Sequence, residues 1–127
     1  ALRPGGRLVV EMLNQERVDK ADSSWWYTDD AGLWGDRPYL HLGERRWNAA
    51  ERASVERFLI LDLTTAALSE IVLCDQTYAV AEMAAMLRDV GFAAVTPYPD
   101  WAGLPLYDAG EWVVYVAERS VPAAQGL

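Results

Sequence analysis

Ala1-Leu2-Arg3-Pro4-Gly5-Gly6-Arg7-Leu8-Val9-Val10-Glu11 opens the chain with a turn thrown straight into a strand. Proline fixes one backbone dihedral, the two glycines permit positive ones, and Leu8 to Val10 follow as an unbroken apolar run. Such a run needs neighbours on both faces and both edges. Polar groups return at Glu11 and Asn14, which ends the strand near 8–12. Ligands of open α/β sheets sit just beyond carboxyl ends of this kind. With no strand before it, the opening reads as the middle of a domain, and the chain as half of a larger fold.

The same texture returns after residue 78. Val80, Met83, Leu87 and Val90 recur at helical spacing and Gly91 stands at a left-handed cap position, which predicts a helix near 79–90. A strand is expected at 92–98. An irregular loop rich in proline, glycine and aspartate follows, then an apolar strand at 111–118 and a loose tail at 120–127.

Residues 15–78 lack this pattern and read as an insertion. A polar stretch to Ser24 with room for one helical turn precedes Trp25-Trp26-Tyr27 and the turn-prone Thr28 to Gly32. Strand-like segments follow at 39–47, 53–62 and 68–75, with connections short enough for an antiparallel β-meander near 39–75. Phe58-Leu59-Ile60-Leu61 does not alternate, so the middle strand is expected to be covered on both faces. Trp25, Trp26, Trp34 and Trp47 crowd one short window. Aromatics so concentrated either build a small core or line a pocket.

Composition narrows the function classes. The chain has 127 residues, 52% of them apolar, and a net charge of −8. That is one globular domain's worth, with no basic stripe for nucleic acid or anionic membranes. A single cysteine, Cys74, and the lack of a leader or long apolar span place the expectation in the cytoplasm.

The Leu2 to Gly6 turn resembles the "L-[KR]-P-G-G" turn before the fifth strand of class I S-adenosylmethionine-dependent methyltransferases. Tyr78-Ala79-Val80-Ala81-Glu82-Met83 is similar to the "Y-[ST]-x-x-E-[LM]" stretch that opens a helix in one small-molecule branch of that family, and Gly91-Phe92 to the "G-F" that closes it. The resemblance implies an α+β fragment of an α/β fold. Residues 1–14 and 79–119 would be the C-terminal half of a Rossmann-like methyltransferase sheet, with the seventh strand between the fifth and sixth, and 15–78 an inserted aromatic-rich antiparallel sheet. Ala79 replaces the capping hydroxyl, a loss of about 1 kcal/mol unless Thr77 or Asp75 substitutes. The family's glycine-rich cofactor loop has no counterpart here, because Pro4-Gly5-Gly6 is a turn and no G-x-G-x-G occurs. S-adenosylmethionine is therefore expected only with a complementary half, and none for the isolated chain.

His41 with Glu44 does not make a metal site, since strand residues three apart face opposite sides. A half-exposed strand histidine is the expectation, with a lone general base as the alternative. Cys74 reads as a buried structural thiol, Asp29-Asp30 as turn residues, and Glu44-Arg45-Arg46 as a solvated strand face. Methyl transfer from a sulfonium needs mainly a positioned nucleophile and a dry pocket. No catalytic residue is therefore named. By resemblance, Trp25, Trp26, Tyr27, Tyr78, Tyr98 and Trp101 border the acceptor pocket.

The leading expectation is the substrate-side portion of a small-molecule methyltransferase. Its partners would be a small-molecule substrate and either a complementary cofactor-binding half or a second copy. The alternatives are a non-catalytic binding or dimerisation module derived from a methyltransferase, and a cofactor-free enzyme using the aromatic pocket.

Overall fold

The computed structural model describes residues 1–98 and 110–124. Its elements in chain order are β1 (Arg7–Leu13), β2 (Ser23–Asp29), β3 (Tyr39–Asn48), β4 (Ala53–Asp62), β5 (Leu68–Gln76), α1 (Val80–Asp89), β6 (Phe92–Tyr98) and β7 (Trp112–Arg119). They divide into two compact units, Ala1–Asp19 with Thr77–Leu127, and Lys20–Gln76.

In the first unit a three-stranded sheet has the order β1-β7-β6, with β7 antiparallel to both neighbours. The most apolar strand takes the middle because both of its edges are paired. Val113, Val114, Tyr115 and Ala117 are buried. Val113, Tyr115 and Ala117 pack with Val95 and with Ala84 and Leu87 of α1, while Leu8, Met12, Val80, Met83 and Phe92 fill in around them. Tyr115 is 1% exposed, and burial followed by the negative Glu16 holds its phenol above its ordinary pKa.

β1 departs from the expectation of cover on both faces. Arg7, Val9 and Glu11 are exposed, and Leu8, Val10 and Met12 are half-buried, so the apolar run alternates after all. Among the described residues its hydrogen-bonded ladder is with β7.

The helix forms on the expected face except at its end, where Val90 lies 75% exposed. Gly91 accepts the reversal at φ +106°, and its N–H donates to the Arg88 carbonyl at 2.9 Å. At the N-terminus Ala79 makes no side-chain capping bond. Glu82 reaches back instead, and its Oε2 accepts from the Ala79 N–H at 3.0 Å. Ala79 has no side-chain oxygen to return a bond, so this is half of a capping box.

The second unit is a four-stranded antiparallel sheet in the order β2-β3-β4-β5. Residues 39–48, 53–62 and 68–76 form strands within a residue of expectation. The segment around Trp25 was expected outside the sheet and is instead the edge strand β2, with Trp26 opposite Leu42 and Tyr27 opposite His41. Paired tryptophans put bulk on both faces, which hides the alternation. The middle strand is covered on one face only. Phe58 and Ile60 are buried with Tyr39 under Trp34 and Ile71, while Leu59 and Leu61 face the side that leaves Leu42, Leu68 and Val72 exposed. Cys74 is exposed rather than buried, because β5 is the outer strand of the sheet.

Candidate functional site

Period-two geometry puts Trp25 and Tyr27 of β2, Tyr39, His41 and Gly43 of β3, and Phe58 and Ile60 of β4 on one face of the four-stranded sheet. Gly43 is needed there. A Cβ at that position would lie 2.3 Å from Trp25 Cε2, so the indole rests directly on the bare backbone. Trp34, from the loop between β2 and β3, donates its Nε1–H to the Tyr27 hydroxyl at 3.1 Å.

His41 occupies the centre of these rings and is 3% exposed, not half-exposed as expected. Tyr27 stacks on it at 4.6 Å between centroids and 16° between planes, with Phe58 at 5.0 Å, Trp34 at 5.7 Å and Trp25 at 6.2 Å. Neither Nδ1 nor Nε2 has a hydrogen-bond partner among the described residues. Leaving such a group unsatisfied costs about 1–3 kcal/mol, which an aromatic stack of about 0.5–1.5 kcal/mol partly offsets. A charged imidazole would gain about 2 kcal/mol from the rings against several kcal/mol of desolvation. Burial therefore wins and holds the His41 pKa below its ordinary value. Against the alternative of a general base, the ring has no open side from which to reach a substrate.

The opposite face is open. Trp26 is 70% exposed and, with Leu42, Leu59, Glu44 and Arg57, lines a cleft of about 280 Å³. Arg57 bridges Glu70 at 2.6 Å and Glu44 at 3.6 Å, chiefly Glu70 raising the guanidinium's pKa. Arg45 pairs with Glu56 across the strands at 2.7 Å and Arg46 with Glu44 of its own strand at 3.7 Å, so the face expected to be solvated at 44–46 carries ion pairs while Arg46 stays exposed. A second cleft of about 270 Å³ lies between Trp34, Tyr39 and Ile60 on one side and Arg37 and Asp62 on the other. Arg37 and Asp62 pair at 2.8 Å. The N–H groups of Thr64 and Thr65 hold the Asp62 carboxyl below its usual pKa.

In the other unit, Asn14 is buried at the carboxyl end of β1. Its N–H donates to the Glu111 carbonyl at 2.7 Å and its Oδ1 accepts from the Glu16 N–H at 3.0 Å. The Gln15 N–H donates to the Tyr78 carbonyl at 3.2 Å, and Asn14 bridges Tyr78 in parallel register. Leu13 is opposite Trp112 and Tyr98 opposite Val114, which brings Tyr78 and the exposed Tyr98 to one end of the three-stranded sheet. Of the six expected aromatics, Trp25 and Tyr27 thus share one face, Trp26 takes the opposite face, and Tyr78 and Tyr98 share a sheet end. Trp101 lies outside the described residues. Sequence reasoning did not single out Trp34 and Phe58 as walls of the His41 box, although the shared phase of Tyr39, His41 and Gly43 was a signal available for it.

Whether S-adenosylmethionine fits these residues turns on the glycine turn. Gly5 adopts φ +72°. Its N–H donates to the Arg119 carbonyl at 3.0 Å and that of Gly6 to the Arg3 carbonyl at 2.8 Å. Both glycine amides are bonded to backbone carbonyls, one in the turn and one on β7, so neither is left to cradle a ligand as a cofactor loop's would be. No group of three or more metal-ligating side chains occurs among the described residues, and no described helix is long and apolar enough to cross a membrane.

No protein-family model and no curated protein matches the sequence. Solved structures do match. The CcbJ methyltransferase from Streptomyces caelestis aligns over 94% of this chain and 46% of its own, with a TM-score of 0.63 and 18% identity. An S-adenosylmethionine-dependent methyltransferase from Clostridium acetobutylicum aligns over 94% and 47%, at 0.66 and 10%. CalS10, an S-adenosylmethionine-bound amino pentose methyltransferase from Micromonospora echinaspora involved in calicheamicin biosynthesis, aligns over 94% and 46%, at 0.60 and 20%. The chain spans about half the length of these relatives, and over that span it has the fold of S-adenosylmethionine-dependent methyltransferases.

Proposed function

We propose that this chain is the substrate-side, C-terminal portion of an S-adenosylmethionine-dependent methyltransferase acting on a small molecule, with the cofactor held by residues outside these 127. The observation that carries the reading is a match across 94% of the chain to about half of each of three methyltransferases, together with a glycine turn whose amides are already bonded. The four-stranded unit is the inserted sheet of this reading, and the β1-β7-β6 sheet the end of its Rossmann-like half.

Within it, no step is assigned to an acid or base. The chain's part is to hold an acceptor and exclude water, so that an in-line displacement proceeds by positioning alone. Candidates for acceptor contact in the four-stranded unit are Trp25, Trp26 and Tyr27; in the three-stranded unit, taken by itself, they are Tyr78 and Tyr98. The chain by itself is expected to bind S-adenosylmethionine no more tightly than about 100 μM, about −5.5 kcal/mol. Calorimetry on the purified 127-residue chain checks this, and low-micromolar binding would place a cofactor site within it. The subunit composition of the native protein tests the wider reading, which requires a glycine-rich nucleotide loop on a contiguous or companion segment.

A second reading, a non-catalytic assembly module, draws support from the open sheet face, where Trp26, Leu42, Leu68 and Val72 are all exposed. Contiguous apolar area of this kind marks interaction surfaces, and a second copy is the partner proposed for it. Trp26→Ala is then expected to cost under about 1 kcal/mol of stability, as surface substitutions do, yet to weaken self-association at least tenfold. Sedimentation equilibrium measures the second effect. Equal association of variant and parent would remove Trp26 from the interface.

A further inference from the structure

His41 is the only histidine in the sequence, and it sits where a proton would find no partner. From β2 the imidazole meets Trp25 and Tyr27, from β4 Phe58, and from the intervening loop Trp34. The ionisable groups on these elements are engaged elsewhere. Glu56 is paired with Arg45 at 2.7 Å, Arg37 with Asp62 at 2.8 Å, and Arg57 with Glu70 and Glu44. Burial, then a hydrogen bond with Tyr27 and the nearby Asp29, holds the Tyr39 phenol above its ordinary pKa. Among the described residues no carboxylate hydrogen-bonds either ring nitrogen to stabilise an imidazolium.

We propose that His41 is an acid-operated latch on the aromatic face of the four-stranded unit. Neutral, it plugs the space between Trp25, Tyr27, Trp34 and Phe58 and holds them as one layer. Protonated, it cannot stay among them, and the layer opens around it. Trp25 and Tyr27, on the edge strand and 38% and 37% exposed, are the rings that swing outward, Tyr27 giving up its hydrogen bond from Trp34, while Phe58 and Trp34 are left facing water.

The direction follows from linkage. Buried, the imidazole titrates below its ordinary value of 6.5, whereas in the opened layer it regains that value, so the open form binds more protons below neutrality. The closed layer is fully populated above pH 6.5 and loses ground as the pH falls toward the buried value. Between pH 8 and pH 5 opening is favoured by at most about thirtyfold, the limit set by an open-form value of 6.5. Asp62, whose carboxyl is held below 3.8, titrates outside this window. This latch does not depend on the proposed methyltransferase role.

A single histidine makes the test direct. Proton NMR of the 127-residue chain from pH 8 to 4.5 should give one imidazole midpoint, displaced below 6.5. Tryptophan emission should shift to the red, and the melting temperature should fall, between pH 7 and 5. His41→Phe keeps an aromatic ring in the box without a titrating nitrogen, and both signals should be flat over that window. A midpoint at or above 6.5 would mean that the rings stabilise the cation and would overturn the latch. So would an equal acid loss in His41→Phe. Should that variant fail to fold, the imidazole midpoint of the unaltered chain decides alone.

Discussion

Phe58→Ala is expected to destabilise the four-stranded unit by about 3–5 kcal/mol, the cost of emptying a buried phenylalanine site. Phe58 lies 5.0 Å from His41, 5.7 Å from Trp34 and 6.1 Å from Trp25, ring centre to ring centre. Its removal leaves a void walled by three rings that are themselves fixed by other contacts. Against a total stability of about 5–15 kcal/mol for a domain of ordinary size, the loss should move a urea midpoint far down, or unfold the unit outright. Circular dichroism during urea titration is the measurement. A midpoint unchanged within error would show that the ring layer rests on the sheet without supporting it.

Gly43→Ala is the second large effect, and its cause is narrower. The glycine's backbone needs no special φ, so the methyl itself does the damage by occupying the space where Trp25 Cε2 lies. Trp25 must rotate off β3, giving up its edge contact with Phe58 and its stack with His41. Overpacking of this kind costs about 1–3 kcal/mol. In a Trp25→Ala background the three atoms nearest the methyl are gone, and the cost should fall to within about 0.5 kcal/mol of zero. The double-mutant cycle thus isolates one ring-on-backbone contact. Additive losses would mean that the alanine strains something other than the indole.

Much of the architecture could be read from residue order. Val80, Met83 and Leu87 at helical spacing before Gly91 locate α1 to within a residue at each end. Leu2 to Gly6 locates β1 because a proline and two glycines leave the chain little else to do. β2 was illegible for a physical reason. Its alternation runs Ser23, Trp25, Tyr27, Asp29 on one side and Ser24, Trp26, Thr28 on the other, with bulk on both, so no apolar face stands out. His41 was misjudged because a histidine in an alternating strand carries no mark of whether its neighbours will be water or rings. That depends on Trp34, seven residues away in a loop. Cys74 was misjudged because its apolar neighbours Val72 and Leu73 suggest a core, while β5 is an edge strand on which both are exposed.

The two sheets also differ in how far along the chain their partners lie. Every pair in β2-β3-β4-β5 joins consecutive strands, so a growing polypeptide can zip this sheet as soon as Gln76 has emerged. In the other sheet Arg7 finds its place beside Glu118, and β6 also waits for the same last strand. Closing a loop that spans most of the chain is slow compared with forming hairpins. During synthesis, then, β1 emerges before the whole of the four-stranded unit and meets β7 only after it. Its ladder with β7 therefore forms after the local hairpins of the other unit are complete, and Leu8, Val10 and Met12 wait for that pairing before they are half-buried.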